Sequence, residues 1–404
     1  MQLQSNYRSL TSIALFNLAI IAFLGVIMRY KIGFDFPFLN QKNLLHAHSH
    51  FAFAGWVSHA LMTLLVYRLN KSFSESRRGV MLIYANLICA YGMLLFFNIQ
   101  GYGPISLFFS TASILVSWLF ALFYFRQQDQ SAGAPWIKTA LIFNIISAAG
   151  TFYLAYMMSH KNITQHHYLG SVYYYLHFQY NGWFFFACMG LFTDWLSKVL
   201  PEKELPKYTF PIFALACIPA YFLSVLWVPV SNWIYVLVVV ASIAQLIAWF
   251  LMIRFLLSNK QEIQKHLNPL SGVLLQFAGV ALTIKLLLQA GSVIPEISKL
   301  AFGFRTIVIA YLHLVLLGVI SVFLLGYIYL NKLIRNNKYV RNGIMIFIGG
   351  IFLNEMVLLI QGLASFSYTV IPFADVSLLL ISSLMLSGLI LILVGNLKAE
   401  TGTK

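Results

Sequence analysis

One feature limits this chain more than any other: apolar runs of 18 or more residues recur along nearly its whole length. A run of that length can cross a hydrocarbon core as a helix, because every backbone N–H and C=O then finds its partner inside the segment. Hydrophobic residues make up 60% of the 404 and charged residues only 9%, against about a quarter charged in soluble domains. The sequence therefore predicts an all-α, polytopic membrane helical bundle. About twelve transmembrane helices are expected, over 9–30, 44–67, 79–98, 105–126, 136–158, 172–196, 209–229, 232–257, 269–290, 305–330, 343–364 and 373–396. No linker or repeat interrupts the series, so residues 1–404 are expected to form a single transmembrane domain.

The net charge of +15 does not imply a nucleic-acid partner. The basic residues sit in short loops, as "YRLNKSFSESRRG", "LSKVLPEKELPKY", "RFLLSNKQEIQKH" and "NKLIRNNKYVRNG", which follow spans two, six, eight and ten. The loops after spans three, seven and eleven contain no Lys or Arg. By the positive-inside rule both termini are cytoplasmic. The expected location is the inner, cytoplasmic membrane of a bacterium, with lipid as the first partner. The N-terminal stretch lacks a small-residue cleavage site and reads as the first span. Cys89, Cys188 and Cys217 each lie in an apolar run without a CxxC spacing, as packing residues do.

The segment "LLHAHSHFAFAGWVSHALMTLLVY" (44–67) places four imidazoles in a stretch that is otherwise greasy. On the expected topology eight of the ten histidines gather in the outer half: His46, His48, His50, His160, His166, His167, His177 and His313. Helical phase puts His46 and His50 on one face of span two, and His48 and His59 nearly opposite. Lys285 and Glu355 are further ionisable groups within spans, and such groups mark functional interiors or ion paths. A histidine-rich cluster without thiolates suits iron or copper better than calcium or magnesium. A porphyrin's large apolar faces can also be buried between helices.

Three segments carry a family resemblance. "IAYLHLVLLG", "LLHAHSHFAFAGW" and "YYYLHFQYNGWFFF" resemble helices ten, two and six of subunit I of the haem-copper oxidases, the superfamily of cytochrome c oxidases and nitric oxide reductases. The resemblance implies a low-spin haem held axially by His313 and one of His46, His48 or His50. It also implies a copper ligand at His177, with His166 and His167 as possible companions. Electrons would come from cytochrome c or quinol, O2 or nitric oxide would be reduced, and accessory oxidase subunits could be present. Lys285 and Glu355 would be candidates for moving protons, and Ser49, Ser58, Asn98 and Gln100 for bonding the ligand imidazoles. The sequence departs from the family at Tyr311, which stands where the high-spin haem histidine belongs, and in span seven, which has no histidine. A respiratory or electron-transport oxidoreductase is the first expectation. A histidine-based zinc or copper transporter using "HKNITQHH" for capture is the second. A di-iron membrane oxygenase, suggested by His46-x3-His50 and the pair His166–His167, is the third.

Overall fold

The computed structural model describes residues 2–69, 73–160 and 164–397. All regular structure among them is helical. We number the long helices α1 (Gln2–Gly33), α2 (Gln41–Arg68), α3 (Phe73–Gln100), α4 (Pro104–Phe125), α5 (Ala134–Ser159), α6 (165–199), α7 (Thr209–Val225), α8 (Asn232–Ser258), α9 (Pro269–Gly291), α10 (Arg305–Leu330), α11 (Lys338–Phe366) and α12 (Ala374–Leu397). Short helices Lys260–Lys265 and Pro295–Gly303 lie in the connections.

Ten of these helices are long and apolar enough to cross a membrane, where the sequence led us to expect twelve spans. The two that fall short are α6 and α7, for different reasons. In α6 the side chains of His166, His167, Gln179, Asn181 and Asp194, with five tyrosines, dilute the apolar character. In α7 the apolar stretch is only Thr209–Val225. Pro219 sits inside it, and the chain tightens to a 3-10 turn at Tyr221–Val225, because proline supplies no N–H to continue the α ladder.

Several helix starts follow from short polar side chains. The carboxamide of Asn40 accepts from the amides of Lys42 and Asn43 to begin α2. Thr164 takes the His167 amide to begin α6, and Asn268 takes that of Ser271 to begin α9. Asn337 caps Val340 and also donates to the carbonyl of Gly395, tying the start of α11 to the end of α12. Each cap satisfies donors that the first helical turn leaves without partners. Of the loop "HKNITQHH", residues 161–163 lie outside the described residues, as do 70–72 of the first basic loop.

The described chain groups into two compact units, residues 1–124 with 321–404, and residues 125–320; the boundary in sequence falls within α10. In the first unit α11 and α12 pack so closely that small residues are required. A Cβ at Gly388 would lie 2.8 Å from the Gly343 carbonyl, and one at Gly343 would lie 2.6 Å from that of Gly388. Gly350 likewise abuts Met385, whereas Gly349 faces open space. α1 lies along α12, and Asn396 joins them by donating to the Ser12 hydroxyl at 2.8 Å. In the second unit α5 packs on α6, where Gly150 lets the Ser171 carbonyl approach. α8 meets α9 through the indole of Trp249, which donates to Thr283 at 2.9 Å.

Gly388→Leu should force α11 and α12 apart at a cost of about 1–3 kcal/mol, the usual range for overpacking. Gly349→Leu, on the same helix pair, should cost little. Thermal unfolding of the two variants in detergent reads the difference, and equal midpoints would contradict the close crossing.

Candidate functional site

Three helices widen from α to π geometry in mid-course. α2 does so over Ala52–Ser58, α6 over Phe178–Phe184 and α10 over Leu314–Ser321. In each the widening begins within two residues of a histidine: His50, His177 and His313. π segments are rare, usually a single turn, and frequently mark functional sites. These are also the three helices in which the sequence points to metal or haem ligands.

Widening the helix disturbs the backbone ladder, and in a membrane each displaced carbonyl needs another donor. In α2 those donors are asparagines. Asn17 on α1 donates to the Gly55 carbonyl at 2.6 Å, and Asn86 on α3 donates to that of Ala54 at 2.9 Å. The Tyr91 hydroxyl donates to Asn17 in turn, at 2.6 Å. Trp56 within the same π segment donates its indole N–H to Ser321 at 2.8 Å. In α6 the Gln179 amide donates to Asn144 and Ser147 of α5, at 2.9 and 2.8 Å. Asn17, Asn86, Asn144 and Gln179 are all buried. The sequence gives one signal for them, a lone carboxamide inside an apolar run, and we had not singled them out.

The span-two histidines divide by face. His50 stacks on Phe97 with ring centroids 4.3 Å apart and planes 10° from parallel, and its Nε2 lies 3.3 Å from the Tyr102 hydroxyl. His46 packs edge-on against Tyr102 at 4.6 Å, and its Nε2 is buried without a hydrogen-bond partner among the described residues. His48 lies on the α1 side, where its Cε1 would sit 3.7 Å from a Cβ placed on Gly25. His59 faces α1 as well: its Nε2–H donates to the Leu10 carbonyl at 2.9 Å, and the residue is wholly buried.

In the second unit, His313 donates from Nδ1 to the carbonyl of Ile309 at 2.8 Å. A carbonyl can only accept, so Nδ1 carries a proton. An imidazole held by its other nitrogen in this way is oriented as metal-ligating histidines are. Tyr311 meets Tyr180 edge-on at 6.4 Å.

The copper group expected at His166, His167 and His177 is not assembled. His177 donates from Nε2 to the Cys217 carbonyl at 2.8 Å, and Asn181 reaches its Nδ1 at 3.2 Å, so both nitrogens are engaged. The local reason is the tightening of α7: the Tyr221 amide turns to the Ile218 carbonyl, and Cys217 takes its hydrogen bond from His177 instead. Neighbours on a helix diverge by about 100°, so His166 meets Trp227 while His167 meets Tyr153. Among the described residues no three His, Cys, Asp or Glu side chains come together as a metal site.

The remaining candidates are placed as follows. Lys285 is buried and donates to Gln289 at 2.6 Å, and Gln289 donates on to Gln245 at 2.5 Å. Glu355 accepts from Asn354 at 3.1 Å, in the other unit. Ser49 and Asn98 bond the carbonyls one turn back, Leu45 and Leu94, rather than an imidazole. With its amide turned to suit its neighbours, Gln100 accepts from Ile105 and Ser106 at the start of α4. The three cysteines are buried thiols. No protein-family model matches the sequence, and no curated protein is similar to it.

His177→Phe should leave the Cys217 carbonyl buried without a donor, a loss of about 1–3 kcal/mol. Thermal unfolding in detergent should show a lowered midpoint while copper content stays at the wild-type level. Unchanged stability with lost copper would restore His177 as a metal ligand.

Proposed function

We propose that this chain is an integral membrane haem protein that carries electrons or reduces O2 or nitric oxide in a respiratory chain, and that His313 is one of the residues that would hold the haem. The observation that carries the proposal is the coincidence of π widening with histidine in α2, α6 and α10, the three helices that resemble ligand-bearing helices of the haem-copper oxidases. The His313 tautomer supports the assignment, since its Nδ1–H is committed to Ile309. We take α6 and α7 to cross the bilayer with the ten more apolar helices, making twelve spans with both ends in the cytoplasm.

As the second ligand we take His48, which helical phase sets on the opposite side of span two from His46 and His50. Phe97 lies flat against His50 and Tyr102 covers the edge of His46. When bound, haem supplies one-electron redox chemistry at its iron. The protein's part is to fix the imidazoles and keep water from them. Ile309 sets the His313 tautomer, and the carboxamides of Asn17 and Asn86 hold the π turn that follows the span-two histidines. A ligand imidazole whose second nitrogen is hydrogen-bonded is also more basic, which tunes the potential.

Copper does not fit. His177 has both nitrogens engaged, and His166 and His167 point to different neighbours, so no step is assigned to a binuclear centre. The metal-transport and di-iron alternatives need larger ligand sets, and among the described residues no three His, Cys, Asp or Glu side chains come together as a metal site.

Protein purified in detergent from haem-competent cells should show Soret and α bands that sharpen on reduction. His313→Ala and His48→Ala should each abolish them or convert them to a high-spin spectrum. A wild-type preparation without Soret absorbance would refute the proposal.

A further inference from the structure

The other face of span two carries a second constellation, which the haem proposal does not use. His46 and His50 are four residues apart on the regular α-helix Gln41–Phe51, so their rings project from the same side, one turn apart. Both pack against Tyr102: His46 at a ring separation of 4.6 Å, and His50 with Nε2 3.3 Å from the phenol oxygen. The buried Nε2 of His46 has no hydrogen-bond partner among the described residues, an arrangement that costs free energy unless something binds there. Two imidazoles and one phenol, all of the right donor type, thus lie together, both histidine rings packing on Tyr102.

The support for this group is stiff. Tyr102 stands in the α3–α4 turn, which Gly101 makes possible by adopting φ +61. That turn is tied to the first turn of α2, because Asn43 donates to the Asn98 carbonyl at 3.4 Å. Phe97 clamps the flat face of His50. Tyr102 is 45% exposed, so an ion can reach the group from the adjacent surface, which the loop charges place outside the cytoplasm.

We propose that His46, His50 and Tyr102 form a binding site for a divalent transition-metal ion of the copper–zinc class, separate from the haem ligands. Histidines at i and i+4 on one helix face can grip a single ion. Nitrogen–oxygen donor sets of this kind suit Cu2+ and Zn2+, with Cu2+ the tighter of the two by the general order of divalent affinities. Binding through the Tyr102 phenolate releases one proton to solvent and offsets one of the ion's two charges. A water completes the coordination on the exposed side. The site stands on its own geometry and does not require haem to be present.

The test is titration of the full-length protein in detergent with Cu2+, followed by electron paramagnetic resonance, and in parallel with Zn2+ by calorimetry. Wild type should bind one Cu2+ with nitrogen hyperfine structure. His46→Ala and His50→Ala should each weaken binding at least tenfold, and Tyr102→Phe should weaken it less while reducing the proton release. Wild-type copper affinity in both histidine variants would overturn the site. So would loss of the Soret band rather than of copper in either variant, since that imidazole would then be a haem ligand. If wild type holds no haem, the copper titration still decides the site, and the two proposals fail separately.

Discussion

The requirement that every backbone carbonyl inside a bilayer be satisfied governs this structure. Three of its helices abandon the α ladder for seven or eight residues, and in lipid that departure is tolerated only where protein groups take up the displaced bonds. Around α2 those groups are the side chains of Asn17 and Asn86, one on each flanking helix. Their burial makes sense only as partners for α2, because a lone carboxamide among apolar neighbours would otherwise be costly. Neighbouring helices are thereby locked to a definite rotation about α2, and the histidines just before the widening acquire fixed directions.

Those directions sort imidazoles that look alike in the sequence. His59, His177 and His313 each donate to a backbone carbonyl, of Leu10, Cys217 and Ile309 respectively. For His177 the second nitrogen is also taken, by Asn181, and the residue acts as a tie between α6 and α7. His59 ties α2 to α1. His313 bonds within its own helix, to the carbonyl one turn back, which orients the ring. Lys285 belongs with the structural class to the extent that its amine is held by the two-glutamine chain through Gln289 to Gln245.

Much of the helical series was legible in the sequence, because crossing a membrane demands long apolar runs and little else imitates them. The failures have particular causes. α6 and α7 were expected to span like the rest, but tyrosines, carboxamides and Pro219 set them apart. The copper trio was assembled from residue types; neighbouring positions such as His166 and His167 must diverge on a helix, and His177 met a carbonyl that only the tightening of α7 left open. The π segments were invisible because a 3.6-residue periodicity was assumed throughout; His46, His48 and His50 precede the widening, so their phase is that of a regular helix, whereas His59 follows it.

We propose that two imidazoles of this chain, one of them His313, hold a low-spin haem. Low-temperature electron paramagnetic resonance of the oxidised, full-length protein addresses it most directly. The claim predicts a low-spin ferric signal with the anisotropy of two imidazole ligands, replaced by a high-spin signal in His313→Ala. A purely high-spin ferric signal, or the absence of any haem signal from protein made in haem-competent cells, would contradict it.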